Sequence, residues 1–286
     1  MIQADPILLR GRPVTPGSGP FIFGILNCTP DSFSDGGLHA SPEAAIDAGC
    51  RMADEGADAI DVGGESTRFG SLPVPPEEQI RRTQKVIAAL ARRFGSDGPA
   101  LSIDTRSAQV AEAALDAGAV IVNDISALRD DPAMADLIAR RRAGVILMHM
   151  KGTPADMQIN PTYEDLIGEI DAFLRERVDC ALAAGIPRER IIIDPGIGFG
   201  KTTAHNLQIL GRLDAFRGMH LPILIGPSRK RFIREALNLK DDESRLMGTA
   251  AVAAVCALAG VECLRVHDVA PCRQAALMAQ AIRSEK

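Results

Sequence analysis

The sequence predicts a single (β/α)8 TIM barrel, and three observations support this prediction. Eight short apolar runs alternate strictly with helical segments, which indicates a parallel sheet. No G-x-G-x-x-G turn follows the first run, so the fingerprint of an open dinucleotide-binding sheet is missing. Polar residues end nearly every run around the cycle, whereas an open sheet concentrates them at one crevice. The length of 286 residues suits one such barrel with extended loops.

The predicted strands are short and mostly β-branched, as in a buried parallel sheet. They cover residues 21–27, 59–64, 101–105, 120–125, 144–149, 191–196, 222–226 and 263–269. The first two strands are followed by extended loops, 28–40 and 64–76. Residues 1–20 form a short N-terminal extension that we expect to plug the opposite face of the barrel, and residues 21–286 form the barrel domain.

Capping residues mark the predicted helix starts. Ser41, Pro42 and Glu43 are typical of an N-cap, a proline at N1 and an acid in the first turn. Ser107 and Thr162 are predicted to cap two later helices. The segments AAIDAGCRMADEGA and AQVAEAALDAGA carry apolar residues at helical spacing and stop at glycine.

Composition restricts the class of protein. Hydrophobic residues make up 46% of the chain and aromatic residues only 3%, so aliphatic side chains must build the core. The net charge of −5 argues against a general nucleic-acid-binding protein. The six cysteines include no C-x-x-C pair, which favours reduced thiols in a cytoplasmic protein over a zinc knuckle or a redox dithiol. We expect neither a signal peptide nor a membrane-spanning segment.

The carboxyl ends of barrel strands converge on one pocket, so residues at these ends are candidate site residues. Those predicted to meet there are Asn27, Asp61, Asp104, Asn123, Met148 or His149, Asp194, Lys230, Arg265 and His267. Taken singly, Asp104 suits a helix cap, Asn123 a turn, and His149 a hydrogen-bonded core position. Together they indicate a site, because each unpaired polar group in a buried strand costs about 1–3 kcal/mol.

These candidates divide by chemistry. Asp104, Asn123 and Asp194 suit a flat heterocycle with N–H edges, because a carboxylate accepts two parallel N–H bonds well. Asn27, Arg265 and His267, together with the loop near Arg68, suit phosphate with or without a divalent ion. The sequence contains no Ser/His/Asp or Cys/His arrangement for nucleophilic catalysis.

Several motifs resemble the dihydropteroate synthase family, which sulfonamides inhibit. GILNCTPDSFSDGG and ADAIDVGGESTRFG are similar to its two signature loops, and SIDT, VNDI, DPGIGFGK, IGPSRK and LRVHDV follow in the family's order. The resemblance spans residues 21–269 and implies a pterin-binding (β/α)8 barrel, usually a homodimer. The implied reaction, part of tetrahydrofolate biosynthesis, joins (7,8-dihydropterin-6-yl)methyl diphosphate to 4-aminobenzoate and releases 7,8-dihydropteroate and diphosphate.

The resemblance also implies a role for each candidate residue. The pterin is assigned to Asp104, Asn123, Met148, Asp194 and Lys230. The diphosphate is assigned to Asn27, Thr67, Arg68, Arg265 and His267, with Mg2+ on Asn27. The 4-aminobenzoate side is assigned to Thr67, Arg68, Phe199 and Ser228. The catalytic set is Asn27, Asp104, Lys230, Arg265 and His267, while Asp61 is expected to orient the second loop and the metal, and Asp35 to join on loop closure.

One residue departs from the family pattern: Phe69 stands where STRPG usually has proline, and we expect it to shift the affinities for 4-aminobenzoate and sulfonamides.

Three other functions are alternatives to the synthase reaction. A pterin-dependent methyltransferase module shares the barrel but needs no diphosphate clamp. A non-catalytic pterin-binding paralogue would be expected to lose loop residues first, and a barrel hydrolase would use Asp104 and Asp194 as its two carboxylates.

Overall fold

The computed structural model describes residues 5–29, 41–240 and 243–285. A two-stranded hairpin, β1 (Leu8–Leu9) and β2 (Arg12–Pro13), precedes an eight-stranded parallel sheet. The strands of this sheet are β3 (Phe21–Asn27), β4 (Ala59–Gly63), β5 (Ala100–Asp104), β6 (Ile121–Asp124), β7 (Gly144–Met148), β8 (Ile191–Asp194), β9 (Leu224–Ile225) and β10 (Cys263–Val266). All eight predicted strands are therefore confirmed.

The sheet curls into a barrel. Its order is β8-β7-β6-β5-β4-β3-β10-β9, and an isolated parallel bridge between Ile193 and Ile223 joins the two outer strands. In the same place, the Ile193 N–H donates to the carbonyl of Pro222 at 3.0 Å. The predicted (β/α)8 barrel is thus confirmed, and the carboxyl ends of its strands open toward one end of the molecule.

Helices surround this sheet. They are α1 (Pro42–Asp54), α2 (Pro76–Phe94), α3 (Ala108–Asp116), α4 (Met134–Arg141), α5 (Leu166–Ala183), α6 (Thr203–Leu210), α7 (Arg231–Ala236), α8 (Leu246–Leu258) and α9 (Val269–Ser284). Within the described ranges, none of them is both long and apolar enough to cross a membrane.

Two of the three predicted caps are confirmed. The Ser41 side chain accepts from the N–H of Ala44, and that of Ser107 accepts from Val110. The predicted cap at Thr162 is wrong, because Asp165 caps α5 by accepting from the N–H of Gly168. Thr162 instead offers its carbonyl to Lys151 Nζ.

The N-terminal hairpin seals the end of the barrel opposite the loops. Ile7, Leu9 and Val14 are buried against the side chains that the strands point inward at that end, among them Phe21 and Phe23.

Two buried carboxylates also bind the N-terminal segment to the barrel by hydrogen bonds. Asp58 accepts from the Arg12 guanidinium at 2.7 Å and from the Ile22 N–H at 2.8 Å. Glu262 accepts from the N–H of Gly17 at 2.8 Å and of Ile223 at 2.9 Å.

Candidate active site

A cavity of about 760 Å³ lies at the carboxyl ends of the strands. The predicted site residues that line it are Asn27, Thr67, Arg68, Asp104, Phe199, Ser228, Lys230, Arg265 and His267. Asp61, Asn123, Met148, His149 and Asp194 are buried and are not among its lining residues. Asp35 lies outside the described residues. The chain therefore brings nine of the predicted residues into one cavity and keeps five others in buried positions.

Arg265 connects two strand-end carboxylates. Its Nε donates to Asp61 Oδ2 at 2.5 Å, and its Nη2 donates to Asp104 Oδ2 at 2.6 Å. Asn123 Nδ2 donates to the same Asp61 oxygen at 2.9 Å. Asp61 is fully buried and contacts Arg265 and Asn123. Its expected role in orienting the second loop and the metal stays a prediction.

Two groups of the site titrate near neutral pH. Burial raises the pKa of Asp104 to about 7, with Arg265 opposing and Asp61 reinforcing the rise. Burial lowers the pKa of Lys230 to about 7, while the Asp194 carboxylate opposes that fall. Burial also raises the pKa of Asp194 above its usual value. Carboxylates and cations thus share one poorly solvated pocket, where their mutual attraction is strong.

His267 enters the site as a neutral ring. Its backbone N–H donates to Ser228 Oγ at 3.0 Å, and its ring Nδ1 lies 3.0 Å from the same oxygen. Burial lowers the pKa of His267 to about 3, and nearby Arg229 and Arg265 contribute to this fall. A neutral imidazole carries one N–H donor and one acceptor nitrogen, and a hydroxyl that donates to Nδ1 would leave the N–H on Nε2, free to bind an anion.

A glycine-rich segment, residues 195–201, forms one wall of the cavity. Gly196 and Gly198 adopt φ of +71° and +82°, conformations that favour glycine. A Cβ at Gly198 would lie 2.7 Å from Lys230 Cδ, so only glycine lets the lysine lie along this segment. Lys230 donates to the Ile197 carbonyl, and its Nζ lies 4.4 Å from the centre of the Phe199 ring. The segment thereby brings an aromatic face and a cation together.

Sequence reasoning missed Lys201, which ends this segment. It is 2% exposed, and its Nζ lies 2.9 Å from His149 Nδ1. The sequence did contain a signal for it: a lysine at the end of a glycine-rich motif that follows a buried strand. It missed Glu65 as well, which lines the cavity and pairs with Arg106 at 3.2 Å.

Known proteins match this chain over most of its length. Residues 23–267 match the family model described as pterin binding enzyme. The chain is 43% identical to the dihydropteroate synthase of Synechocystis sp. over 266 residues, which is 93% of this chain and 91% of the relative. The chain belongs to the dihydropteroate synthase family. The resemblance drawn from the sequence motifs is therefore confirmed, and the members of the family are transferases.

Solved structures of the dihydropteroate synthase family share this fold closely. The Yersinia pestis enzyme, in complex with a sulfonamide drug, superposes with a TM-score of 0.90 at 40% identity, covering 98% of this chain and 99% of that one. The Xanthomonas albilineans enzyme with 4-aminobenzoic acid superposes with a TM-score of 0.88 at 44% identity, covering 96% and 97%.

Proposed function

We infer that this protein catalyses the dihydropteroate synthase reaction. The amine nitrogen of 4-aminobenzoate bonds to the methylene carbon of (7,8-dihydropterin-6-yl)methyl diphosphate, the C–O bond breaks with its electron pair on the departing diphosphate, and the nitrogen loses a proton. The observation that carries this inference is the single cavity in which Asp104, Lys230 and Arg265 meet. The dihydropterin ring shares the positive charge that develops at carbon, so no protein nucleophile is needed.

The pterin is proposed to bind at the strand ends. Asp104 and Asp194 would accept ring N–H groups, Asn123 and Lys230 would complete the hydrogen bonding, and Met148 would pack on the ring. In support, the Asp194 Oδ1 that accepts from the Gly196 N–H at 2.7 Å leaves a second carboxylate oxygen for the ring. Ionised carboxylates here would also favour the positive charge of the transition state.

The diphosphate is proposed to leave toward Asn27, Thr67, Arg68, Arg265 and His267. Arg265 uses one N–H on Asp61 and one on Asp104, so three of its five N–H groups remain for phosphate oxygens. His267 would add its neutral Nε2–H. Fixed donors of this kind stabilise charge that develops on a leaving group because they need no reorganisation during the reaction.

Mg2+ is proposed as the cofactor, held on the protein side by Asn27. In the described residues, three or more His, Cys, Asp or Glu side chains nowhere converge as metal ligands. Asn27 nevertheless fits this ion, because it lines the cavity with a hard amide oxygen and Mg2+ often takes only one or two protein ligands plus substrate oxygens and water. When bound, the ion would supply counter-charge to the diphosphate.

The 4-aminobenzoate is proposed to lie between Thr67 and Arg68 on one side and Phe199 and Ser228 on the other. All four line the cavity: Thr67 and Arg68 come from the second loop, Phe199 from the glycine-rich segment and Ser228 from the turn after β9. The Phe199 ring offers a stacking face for the benzoate ring. Arg68 supplies a positive charge for the carboxylate.

The deciding experiment measures diphosphate release from the pterin substrate with and without 4-aminobenzoate and Mg2+. Release that requires Mg2+, with formation of dihydropteroate when the amine is present, is the expected result. Pterin binding without release would instead identify a non-catalytic paralogue or a methyltransferase module, and the roles proposed for Asn27, Arg265 and His267 would fall.

Phe69 is predicted to weaken binding on the 4-aminobenzoate side. It lines the cavity and is 50% exposed, so little packing holds its ring. Proline at this position would restrict the free loop, and Phe69→Pro is therefore expected to tighten 4-aminobenzoate and sulfonamide binding about two- to fivefold without changing pterin affinity. Calorimetric titration of each ligand checks this. Identical constants in the two proteins would refute it.

The protein is proposed to form a homodimer through α8 and α9. These helices pack along each other and expose apolar side chains that a second copy could cover. The exposed fractions are 79% for Met247, 48% for Val255, 62% for Met278 and 48% for Ile282.

The double variant Val255→Glu, Met278→Glu is predicted to be a folded monomer, because each new carboxylate would be buried without a partner in the dimer. Light scattering after gel filtration measures its mass. Val120→Glu, at a side chain 47% exposed on another part of the surface, should keep the native mass. A dimeric double variant, or a monomeric native chain, would contradict this interface.

We also propose domain boundaries and a cellular location for the protein. Residues 1–20 are proposed as an extension and residues 21–286 as one barrel domain, which the packing of Ile7 and Leu9 on the barrel core supports. A reducing, cytoplasmic location is supported by the six cysteines, all of them free thiols. No nucleic acid or membrane partner is proposed.

A further inference from the structure

The glycine-rich segment of the active site has an unusual set of hydrogen bonds. Each of its five carbonyls from residue 196 to residue 200 accepts a hydrogen bond, and four of the five donors are side chains. The pairs are Phe199 N to Gly196 O at 3.1 Å, Lys230 Nζ to Ile197 O, Gln158 Nε2 to Gly198 O at 2.8 Å, Lys201 Nζ to Phe199 O at 2.9 Å and Tyr163 Oη to Gly200 O at 2.8 Å. A stretch outside regular structure is thus hydrogen-bonded at every carbonyl from residue 196 to residue 200.

Lys201 is the donor to the carbonyl of Phe199, and it is almost completely buried. Its Nζ also lies 2.9 Å from His149 Nδ1 and 3.5 Å from the His149 carbonyl. Burial lowers the pKa of His149 to about 2, which keeps the ring neutral. Burial also lowers the pKa of Lys201 well below its usual value. The Lys201 head group, hydrogen-bonded to the Phe199 carbonyl and to the His149 ring, therefore joins the segment to the end of β7.

The backbone of the segment lies directly against residues 149–151. A Cβ at Gly196 would collide with the carbonyl oxygen of His149, and one at Gly200 would collide with that of Lys151. Two glycines permit this close approach of the two backbones, and the Lys201 head group forms the hydrogen bonds between the two segments. Phe199 lies in this same stretch, between the two glycines, and its carbonyl accepts directly from Lys201 Nζ.

We propose that Lys201 is a positioning residue that holds the Phe199 ring against the 4-aminobenzoate side of the site. The proposal rests on the proposed function, because Phe199 matters in this way only if the ring binds 4-aminobenzoate. Lys201 acts through the Phe199 carbonyl and through His149. A shift of about 1 Å in a substrate-positioning group can cost on the order of a hundredfold in rate, so losing this attachment has a measurable consequence.

An electrostatic role for Lys201 would predict a different result. The charged and titratable groups that face it are Asp194, Lys230, His149 and His205. If Lys201 acted mainly as a counter-charge for Asp194, its removal would weaken pterin binding. The attachment role predicts that the loss falls on 4-aminobenzoate instead.

The test compares Lys201→Met with the native protein in steady-state kinetics with Mg2+. The KM for 4-aminobenzoate is expected to rise about tenfold or more, while the dissociation constant of the pterin diphosphate, measured by calorimetry, stays within about twofold. Lys85→Met is the matched control, because Lys85 is an exposed lysine on α2, and it should leave both constants unchanged. An unchanged KM in Lys201→Met, or a loss confined to pterin binding, overturns the proposal.

Two further variants keep the test decisive if Lys201→Met fails to fold. His149→Phe removes the ring nitrogen that bonds to Lys201 but retains the edge-to-face contact with Phe173, whose ring centre lies 4.9 Å away, and it should reproduce the rise in KM. Phe199→Leu should raise the same KM, and combining it with His149→Phe should add little, because both changes act on one ring position. Full additivity overturns the proposal. If the native protein forms no dihydropteroate, the proposed function has failed; if it does and His149→Phe behaves as native, only this inference has failed.

Discussion

Replacing Arg265 by methionine is expected to lower kcat/KM for diphosphate release by about 100- to 1,000-fold, the usual cost of removing one fixed donor to a developing anion. Arg265 has this importance because it lies between two carboxylates, Asp61 and Asp104, and faces the cavity with its remaining N–H groups. Methionine keeps the length of the side chain but offers no donor. Both carboxylates would then be buried without their cation.

Arg265→Lys is expected to recover little of this loss. A lysine ammonium is a point charge without the planar fork, so it cannot bond to Asp61 and Asp104 in the present geometry and still face the leaving group. Arg175→Met serves as the control, because Arg175 pairs on the surface with Asp171 on α5 and should leave kinetics unchanged. Activity of Arg265→Met within threefold of the native protein would remove Arg265 from the catalytic set.

The fold could be predicted from sequence because its signals are local. Each strand of the barrel is an apolar run, and four of the eight end in a polar residue: Asn27, Asp104, Asp124 and Asp194. The cap of α5 shows the limit of local signals. Thr162 and Asp165 are both good capping residues, and only the path of the chain before α5 decides that Asp165 takes the position.

The connections within the site could not be predicted, because they join residues far apart in sequence. Arg265 contacts Asp61 and Asp104 across 204 and 161 positions, and nothing in the motifs pairs these groups. The burial of Lys201 depends on how closely the glycine-rich segment approaches the end of β7. Sequence reasoning thus identified most of the candidate site residues, whereas the structure shows which of these side chains are hydrogen-bonded to each other.

Activity is expected to follow a bell-shaped pH profile with its maximum near pH 7. On the acid side the relevant group is Asp104, whose pKa burial raises to about 7. Below that pH its carboxyl is protonated and loses one acceptor for the ring N–H groups of the pterin, so kcat/KM should fall about tenfold per pH unit. On the alkaline side Lys230, with a pKa lowered to about 7, loses its proton and its positive charge, and kcat/KM should fall again.

Two variants test which group is responsible for the acid limb and which for the alkaline limb of this pH profile. Asp104→Asn cannot titrate, so the acid limb should disappear along with most of the activity, and Lys230→Met should remove the alkaline limb in the same way. The two groups interact directly and share Arg265 as a neighbour, so the apparent pKa values belong to the coupled set, and each variant should also shift the limb that remains. A rate that stays constant between pH 5 and 9, measured under conditions in which the substrates do not change ionisation, would mean that neither Asp104 nor Lys230 titrates in the catalytic range. The carboxylate would then be ionised throughout, and Arg265 would outweigh burial in setting its charge.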